Sequence, residues 1–331
     1  MITAVIGSLK KIPDKYDAIV ISNAGLAELM LFRNKFRHNV AYIHTPLRIA
    51  HPDDQRWMFK VRATNPVKRL LLKTITGTYS LVERPAYHRF DAIATNSKLV
   101  LKRLYTKKLV KEGTETQVIY PGAELPRIKA KKRRDGTIRV VYISRFSYVK
   151  RQKEAVFAVA SLRQNYGLDD VLLTVAGSPS EEKYFREVKA LENEYDWLEV
   201  IPNISDEEKE ELLRTADIGL FTAWNEDFGI VPLEYMAAGL PIVGTPGGYY
   251  EIAELIDYPV VKVREPDLGS PVDTTWKTTW NIRDALYNAV THLDALKEKA
   301  REARGRLLKL DLSWDRFARE FDSFILRTAR L

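Results

Sequence analysis

Two glutamates and two glycine-bearing turns lie close together in NEDFGIVPLEYMAAGLPIVGTPGGYYEIA, residues 225–253. Glu226 and Glu234 are eight positions apart, and the strand pattern LPIVGT separates the Phe-Gly step from a Pro-Gly-Gly loop. Each loop is predicted to join the end of a strand to the start of a helix, where backbone N–H groups and the helix dipole attract phosphate. Gly229, Gly247 and Gly248 would let the backbone approach such an anion closely. The segment therefore predicts an anion-binding site with two carboxylates beside it.

Each glutamate also has a simpler interpretation. A helix is predicted to begin near Val231, with Pro232 in its first turn, and to end at Gly239. Glu234 would then lie in the first turn, where a carboxylate complements the helix dipole without binding a ligand. Glu226 would be an exposed loop residue. The combination of both carboxylates with the glycine turns is what favours a binding function.

A second cluster lies upstream in YISRFSYVKRQKEAV, residues 142–156, where the strand pattern IRVVYIS gives way to a loop and a helix. Arg145 and Lys150 are predicted to project from the end of this strand. The planar fork of Arg and the compact charge of Lys together suit a diphosphate. The alternative is a pair of surface cations. Arg151 and Lys153 are expected on the solvated face of the helix that follows.

His44 ends the strand pattern VAYIH, and Arg48 follows it in HTPLR. At this position His44 is either a structural residue or a ligand contact. His38, His51, His88 and His292 have no motif around them, and no pair of residues has a convincing metal-ligand spacing. The sequence therefore predicts no metal site.

The elements that must position these residues alternate between strands and helices, which is typical of parallel sheets built from βαβ units. A stretch rich in Pro, Gly and charge, residues 120–137, separates two such series. We therefore predict an α/β protein of two doubly wound domains, with ligands at the carboxyl ends of the strands in a cleft between the domains. The strand patterns are ITAVIG, DAIVIS, VAYIH, AIATN, QVIY, IRVVYIS, LLTVAG, LEVIP, IGLFT, PIVGT and YPVVKV.

The charge of the 331-residue chain is unevenly distributed. Residues 1–127 hold 22 Lys and Arg against 10 Asp and Glu, a net +12, whereas the remainder has a net −4. The basic residues are densest between Arg56 and Lys111, where they alternate with apolar side chains. Two amphipathic helices with solvated basic faces would explain this pattern, and so would a surface for anionic lipid headgroups. Nucleic acid is a weaker alternative, because a basic patch alone does not distinguish it from lipid.

Several of these stretches, in this order, resemble the large "group 1" family of retaining glycosyltransferases with the GT-B fold. YISRFSYVKRQ is similar to the family's diphosphate-binding turn, NEDFGIVPLE to its Glu-x7-Glu motif, and AAGLPIVGTPGGYYEI to the segment after that motif. YIHTPLR is similar to a turn of mannosyltransferase-like members, and SWDRFAREF to a closing helix that crosses back to the first domain. The resemblance is strong over residues 120–255 and weaker over residues 17–120.

The resemblance implies a role for each candidate residue in transferring a sugar from a nucleotide diphosphate sugar with retention of configuration. Arg145 and Lys150 would contact the diphosphate, Glu226 would hold hydroxyls of the transferred sugar, and Glu234 would accept the ribose hydroxyls. His44 would face the sugar and Arg48 would meet donor or acceptor. No cofactor or metal is implied, because the cations replace it. The remaining donor contacts implied are Phe228, Gly229, Ile230, Gly247, Gly248 and, near the nucleobase, Ile204.

The resemblance also implies domain bounds. These are residues 1–127 for an acceptor-side domain, 128–310 for a nucleotide-sugar-binding domain, and 311–331 for the closing helix. Family members usually begin with a strand and a glycine-rich loop, and MITAVIGSLKK has no such loop. We therefore expect either a truncated start or a compact member with a shortened first domain.

The expected donor is GDP-mannose, with a UDP-sugar next, and the expected acceptor is a carbohydrate or a lipid-linked glycan. The expected location is cytoplasmic, with peripheral contact to an anionic membrane and no nucleic-acid partner. An inactive or partner-dependent nucleotide-sugar-binding subunit remains an alternative. A glycoside hydrolase would use the two glutamates as acid and nucleophile, and an epimerase or phosphorylase on the same fold is a further alternative.

Overall fold

The computed structural model describes residues 11–13, 15–23, 25–50, 65–126, 128, 130, 135–265 and 274–329. The contacts within the chain divide it into two compact units. The first unit comprises Met1–Gly122 and Leu312–Leu331, and the second unit comprises Ala123–Asp311. One boundary therefore lies in the Pro- and Gly-containing stretch that follows the fourth strand, and the other directly precedes the last helix.

The first unit contains a parallel sheet whose four described strands follow the order β1-β2-β3-β4. Sequential strands are neighbours. Because all four strands are parallel, their carboxyl ends lie at one edge of the sheet. The strands are β1 Ala18–Asn23, β2 His38–Ile43, β3 Ala92–Thr95 and β4 Glu115–Val118, and the helices are α1 Pro66–Tyr87 and α2 Lys98–Thr106, with 3₁₀ turns at Ala27–Phe32 and Arg48–Ala50.

Side chains of the first sheet alternate between two buried faces, as the period of a strand requires. On one face, Ile21, Ile43 and Ile93 pack with residues from the 3₁₀ turn, α1 and α2. On the other face, Tyr42 and its neighbours pack against Phe324 of the last helix, Trp314–Ala329. The closing helix thus belongs to the first unit. Gly122 fits against it closely, because a Cβ at this position would lie within 2.7 Å of Trp314.

The second unit contains a parallel sheet whose six described strands follow the order β10-β9-β8-β5-β6-β7. The strand order reverses between β5 and β8, and open α/β sheets bind ligands at such a switch point. The strands are β5 Ile138–Ile143, β6 Val171–Gly177, β7 Leu198–Pro202, β8 Ile218–Phe221, β9 Ile242–Gly244 and β10 Val260–Lys262.

Helices cover both faces of this second sheet, which is why its central strands are almost wholly apolar and buried. Local signals set the ends of several of these helices. Ser205 and Glu208 form a capping box, and Gly239 ends another helix with a φ of 79°. The helices are α3 Gln152–Tyr166, α4 Glu182–Lys189, α5 Asp206–Thr215, α6 Ile230–Ala238, α7 Tyr249–Leu255, α8 Thr274–Thr291 and α9 Leu293–Leu307, and the last helix, in the first unit, is α10 Trp314–Ala329.

Ten of the predicted strand patterns correspond to β1–β10, and the prediction of two parallel-sheet units is confirmed. The pattern ITAVIG and the basic residues 56–64 lie outside the described residues. Within the stretches that the structure describes, no helix is both long and apolar enough to cross a bilayer.

Candidate active site

An ion pair between Lys150 and Glu226 lies at the switch point of the second sheet. Lys150 ends a 3₁₀ turn in the loop after β5, and Glu226 lies in the loop after β8. The Lys150 Nζ is 2.6 Å from Glu226 Oε2, and the two side chains are 14% and 21% exposed. The structure thus joins the two clusters that the sequence presented as separate stretches. Each charge is accessible enough to meet a ligand and buried enough to interact strongly with one.

The backbone carbonyl of Lys150 accepts hydrogen bonds from two buried hydroxyl groups. Tyr142 of β5 donates a hydrogen bond to the Lys150 carbonyl, and Thr222 Oγ1 donates to the same oxygen at 3.1 Å. The backbone N–H of Trp224 donates to the Val149 carbonyl at 2.7 Å. The loop after β5 and the loop after β8 are therefore tied together beneath the ion pair. This arrangement restricts where the ammonium group can lie.

Two glycine-bearing loops flank the ion pair. Glu226 forms a parallel bridge with Gly247, so the loop after β8 pairs with the loop after β9. A Cβ at position 247 would lie 3.1 Å from both Glu226 and the Tyr249 ring, which leaves little room for a side chain. Gly229 has a φ of 92° and immediately precedes α6, a conformation that other residues rarely adopt. Gly248 directly precedes α7.

Phe228 and Ile230, two further residues predicted to contact the donor, have different environments. Phe228 is buried, whereas the side chain of Ile230, the first residue of α6, is exposed. The predicted nucleobase contact Ile204 is half-buried in the turn between β7 and α5. Phe228 therefore supports the loop from within, and Ile230 and Ile204 present apolar surface.

Glu234 lies beyond the first turn of α6, the turn in which the sequence predicted it. The helix begins at Ile230, so Glu234 is its fifth residue, and the first turn contains no acidic side chain. The interpretation of Glu234 as a first-turn dipole partner is therefore wrong. Its side chain is 10% exposed, and Oε1 receives a hydrogen bond of 3.2 Å from Lys209 of α5. Burial raises the pKa of Glu234, and the Lys209 charge opposes that rise.

Lys209 was not among the candidate residues. It forms a second ion pair with Asp206 at 3.1 Å within α5. Burial lowers the pKa of Lys209, but the charges of Glu234 and Asp206 more than offset this, so the pKa is raised. The capping box at Ser205 indicates where α5 begins. Only the tertiary structure shows that Lys209 of this helix contacts Glu234 of α6.

Arg145 and Arg151 have different environments. The Arg145 side chain is exposed, and it forms no ion pair among the described residues. Arg151, expected on a solvated helix face, is instead buried; its guanidinium donates to Glu265 at 2.8 and 3.0 Å and lies over the Trp224 ring. Arg151 precedes α3 with a φ of 60°, and this conformation directs the residue inward rather than along the helix surface.

Within the first unit, His44 lies where the carboxyl ends of β1, β2 and β3 meet. Its Nε2 is 3.0 Å from Ser22 Oγ, and its carbonyl accepts a hydrogen bond from Asn96. The imidazole also packs edge-on against Tyr42. The ring is exposed even so, which leaves it accessible to a ligand. Arg48 begins the 3₁₀ turn Arg48–Ala50 and is half-buried.

The described residues of the second unit therefore bring together groups whose chemistry suits an anion, with an internal counter-ion beside them. An exposed cation, Arg145, accompanies a paired one, Lys150, next to two backbone turns whose glycines admit close approach. Two carboxylates, Glu226 and Glu234, are both held by lysines and can accept hydrogen bonds from hydroxyl groups. An anion with hydroxyl groups on either side of it is the ligand that this chemistry fits.

Comparison with known proteins agrees with this arrangement. Residues 126–257 match the model of the family described as "Glycosyl transferases group 1". The D-inositol 3-phosphate glycosyltransferase of Pseudarthrobacter chlorophenolicus is 32% identical over 139 residues, which cover 39% of this chain and 33% of that protein. The alpha-1,3/1,6-mannosyltransferase ALG2 of Saccharomyces cerevisiae is 26% identical over 218 residues, which cover 54% of this chain and 43% of that protein.

The chain spans between a third and a half of the length of these curated relatives. Among solved structures, sucrose-phosphate synthase from Thermosynechococcus elongatus has a TM-score of 0.65 at 17% identity, covering 94% of this chain and 73% of that one. The fold prediction is therefore confirmed. Residues 126–257 therefore match the domain of the glycosyl transferases group 1 family, and the chain has the GT-B fold.

Proposed function

We propose that the protein transfers a sugar from a nucleotide diphosphate sugar to an acceptor hydroxyl, with retention of the anomeric configuration. The observation that carries this proposal is the Lys150–Glu226 ion pair at the switch point, with a glycine-bearing loop on each side. A diphosphate needs cations and backbone N–H groups, and a sugar needs carboxylate acceptors. The family of the domain at residues 126–257 supports the same activity.

In this reaction the bond between the anomeric carbon and the phosphate oxygen of the donor breaks, and its electron pair stays with the phosphate. The acceptor oxygen forms the new bond on the same face of the sugar, and its proton passes to the leaving phosphate. Arg145 and Lys150 stabilise the charge that develops on the leaving group, which is the largest contribution that preorganised groups make in such reactions. Glu226 holds sugar hydroxyls and Glu234 holds ribose hydroxyls.

The cations make a metal unnecessary in this proposal, so transfer proceeds in the presence of a chelator. GDP-mannose is the first donor to test and a UDP-sugar the second. The HTPLR turn and the similarity to a mannosyltransferase over 54% of the chain support that order. His44 and Arg48 belong to the first unit, and their contacts to sugar or acceptor stay predictions.

The proposed acceptor is a glycan carried by a lipid at an anionic membrane surface, and helix α1 supports this part of the proposal. Its buried side is polar, with Tyr79 donating a hydrogen bond to the buried Glu28 and with Glu83 paired to Lys107. Four apolar side chains of this helix are exposed at 58–76%, and these are Val67, Leu70, Leu71 and Leu81. An exposed apolar helix face in a basic unit is typical of an interfacial helix.

Vesicle co-sedimentation tests the membrane contact. The wild type is expected to sediment with vesicles containing phosphatidylserine, and the double variant Leu70→Gln/Leu71→Gln is expected to lose most of this binding. Leu255→Gln, at an equally exposed leucine of the second unit, is the matched control and is expected to bind as the wild type does. Equal binding by all three proteins would refute the role of α1.

Calorimetric titration with GDP, UDP and ADP, followed by a transfer assay with the sugar conjugate of the nucleotide that binds, tests the activity. We expect one nucleotide to bind without metal, binding to weaken in Lys150→Ala, and transfer to occur in the presence of chelator. Nucleotide binding without transfer by the purified chain would favour the partner-dependent subunit instead. A hydrolase needs one protonated and one ionised carboxyl at a single bond, and lysines hold both glutamates here.

A further inference from the structure

The second lysine–glutamate pair of the site joins two helices rather than two loops. The capping box at Ser205 sets the start of α5, so Lys209 and Asp206 lie on the same side of its first turns. Lys209 Nζ reaches Asp206 Oδ1 at 3.1 Å and Glu234 Oε1 at 3.2 Å. One ammonium group therefore links an exposed carboxylate on α5 to a buried one on α6.

Exposure falls steadily along this chain of charges. The side chain of Asp206 is 91% exposed, that of Lys209 is 25% exposed and that of Glu234 is 10% exposed. Burying an ionised carboxylate without a partner is unfavourable, so Lys209 is what allows Glu234 to remain charged at this depth.

The two oxygens of Glu234 have different partners. Oε1 receives the hydrogen bond from Lys209, and no described residue donates to Oε2. A carboxylate has about four acceptor positions, so Oε2 and the remaining position on Oε1 stay available to a ligand. Fixing Oε1 also fixes the plane of the carboxylate, because rotation would break the bond to Lys209.

We propose that Lys209 is a positioning residue for the donor, which holds the Glu234 carboxylate ionised and in one orientation so that it accepts the ribose hydroxyls. This inference rests on the proposed function, since it assumes a nucleotide ligand. Lys209 need not touch the ribose, and its effect is transmitted through Glu234. A neutral carboxyl group would replace one acceptor position with an O–H donor and would accept more weakly, so its preference for a ribose over a deoxyribose would be smaller.

The charged groups that act on Glu234 are few within the described part of the chain. Lys209 and Asp206, both on α5, are the charged side chains that shift its pKa. Helix α9 also packs on α6, but its Arg304 donates to the Ala237 and Ile128 carbonyls instead. Because burial raises the pKa of Glu234 and Lys209 lowers it, removing Lys209 should raise that pKa further.

Calorimetry with a ribonucleoside diphosphate and its 2′-deoxy analogue, over a series of pH values, measures this effect. In the wild type we expect a ribose preference of about tenfold or more, as for a hydrogen bond to a charged acceptor. The preference should be lost on acidification, at a pH above the usual carboxylate range of about 4.3. In Lys209→Met the loss should begin at a higher pH than in the wild type, and the preference should return on alkalinisation.

Three further variants separate positioning from simple structural support. Lys209→Arg keeps the charge and should keep most of the preference, whereas Glu234→Gln should remove both the preference and its pH dependence. Lys262→Met breaks an exposed lysine–glutamate pair elsewhere in the second unit and should change neither. If Lys209→Met does not fold, Lys209→Gln supplies the same comparison.

The outcomes separate this inference from the proposed function. A wild type that binds no nucleotide would overturn both. A wild type that binds nucleotide, with Lys209→Met showing the same ribose preference and the same pH profile, would overturn the role of Lys209 alone. A preference that shifts with pH in Lys209→Met and is kept in Lys209→Arg is the result we expect.

Discussion

Replacing Glu226 by glutamine is expected to strengthen the binding of a bare nucleoside diphosphate and, in the same protein, to suppress sugar transfer. Glu226 Oε2 lies 2.6 Å from the Lys150 ammonium group and pairs with it. A phosphate that approaches Lys150 must share that cation with the carboxylate or displace it. Glutamine keeps the shape of the side chain but competes less, because it is uncharged.

The expected size follows from the strength of the two kinds of hydrogen bond. A hydrogen bond to a charged partner contributes about 1.5–3 kcal/mol, against about 0.5–1.5 kcal/mol for a neutral one. The pair is only partly buried, which places it toward the lower end of that range. A difference of about 1–1.4 kcal/mol corresponds to nucleotide binding that is about five- to tenfold tighter.

Titration calorimetry with the nucleotide that the wild type binds measures the first effect. The second is measured as the transfer rate with the sugar conjugate, which should fall by about a hundredfold or more if Glu226 holds the sugar in the transition state. Glu254→Gln, which breaks an exposed pair with Lys262, is the control and should alter neither quantity. Weaker or unchanged nucleotide binding in folded Glu226→Gln would refute the idea that Glu226 competes with a phosphate for Lys150.

Three further substitutions test how the site and the two units are held. Thr222→Val removes a hydrogen bond to the Lys150 carbonyl and should weaken nucleotide binding about threefold to tenfold, whereas Thr222→Ser should not. Gly219→Ala would place a Cβ 2.4 Å from the buried Tyr235 ring and should lower the free energy of unfolding by about 1–3 kcal/mol in denaturant titration. Phe324→Ala should lower the free energy of unfolding by about 3–5 kcal/mol in the same assay, because the Phe324 side chain is fully buried in the first unit. A decrease no larger than that caused by substituting an exposed residue would contradict this packing.

Much of the fold could be predicted because its signals are local. The parallel strands are continuous apolar runs, and the starts and ends of helices carry capping residues such as Ser205 and Gly239. The placement of Lys150 and Glu226 at the carboxyl ends of two parallel strands, and so at one edge of a sheet, could be predicted. The distance between them did not follow, because the order of β5 and β8 in the sheet is a property of the whole unit.

The residues that sequence reasoning misplaced are those whose environment depends on distant parts of the chain. Lys209 and Glu234 are 25 positions apart, and Arg151 and Glu265 are 114 apart. A charged residue beside a helix start is usually solvated, so nothing near Arg151 in the sequence indicated a buried partner. The exposure of the apolar side chains of α1 was not predicted either. The spacing of apolar and polar residues shows that a helix has two faces, but it does not show which face packs against the rest of the unit.

The last helix has a consequence for how the chain acquires its structure during synthesis. One face of the first sheet is completed by Phe317, Phe321 and Phe324 of α10, which leave the ribosome after every residue of the second unit. The second unit is continuous in sequence, so it can finish folding first, although its strands are made later than β1–β4. The first unit must wait with one side of its sheet uncovered, and an interruption of synthesis before α10 would leave an ordered second unit attached to an unfinished first unit.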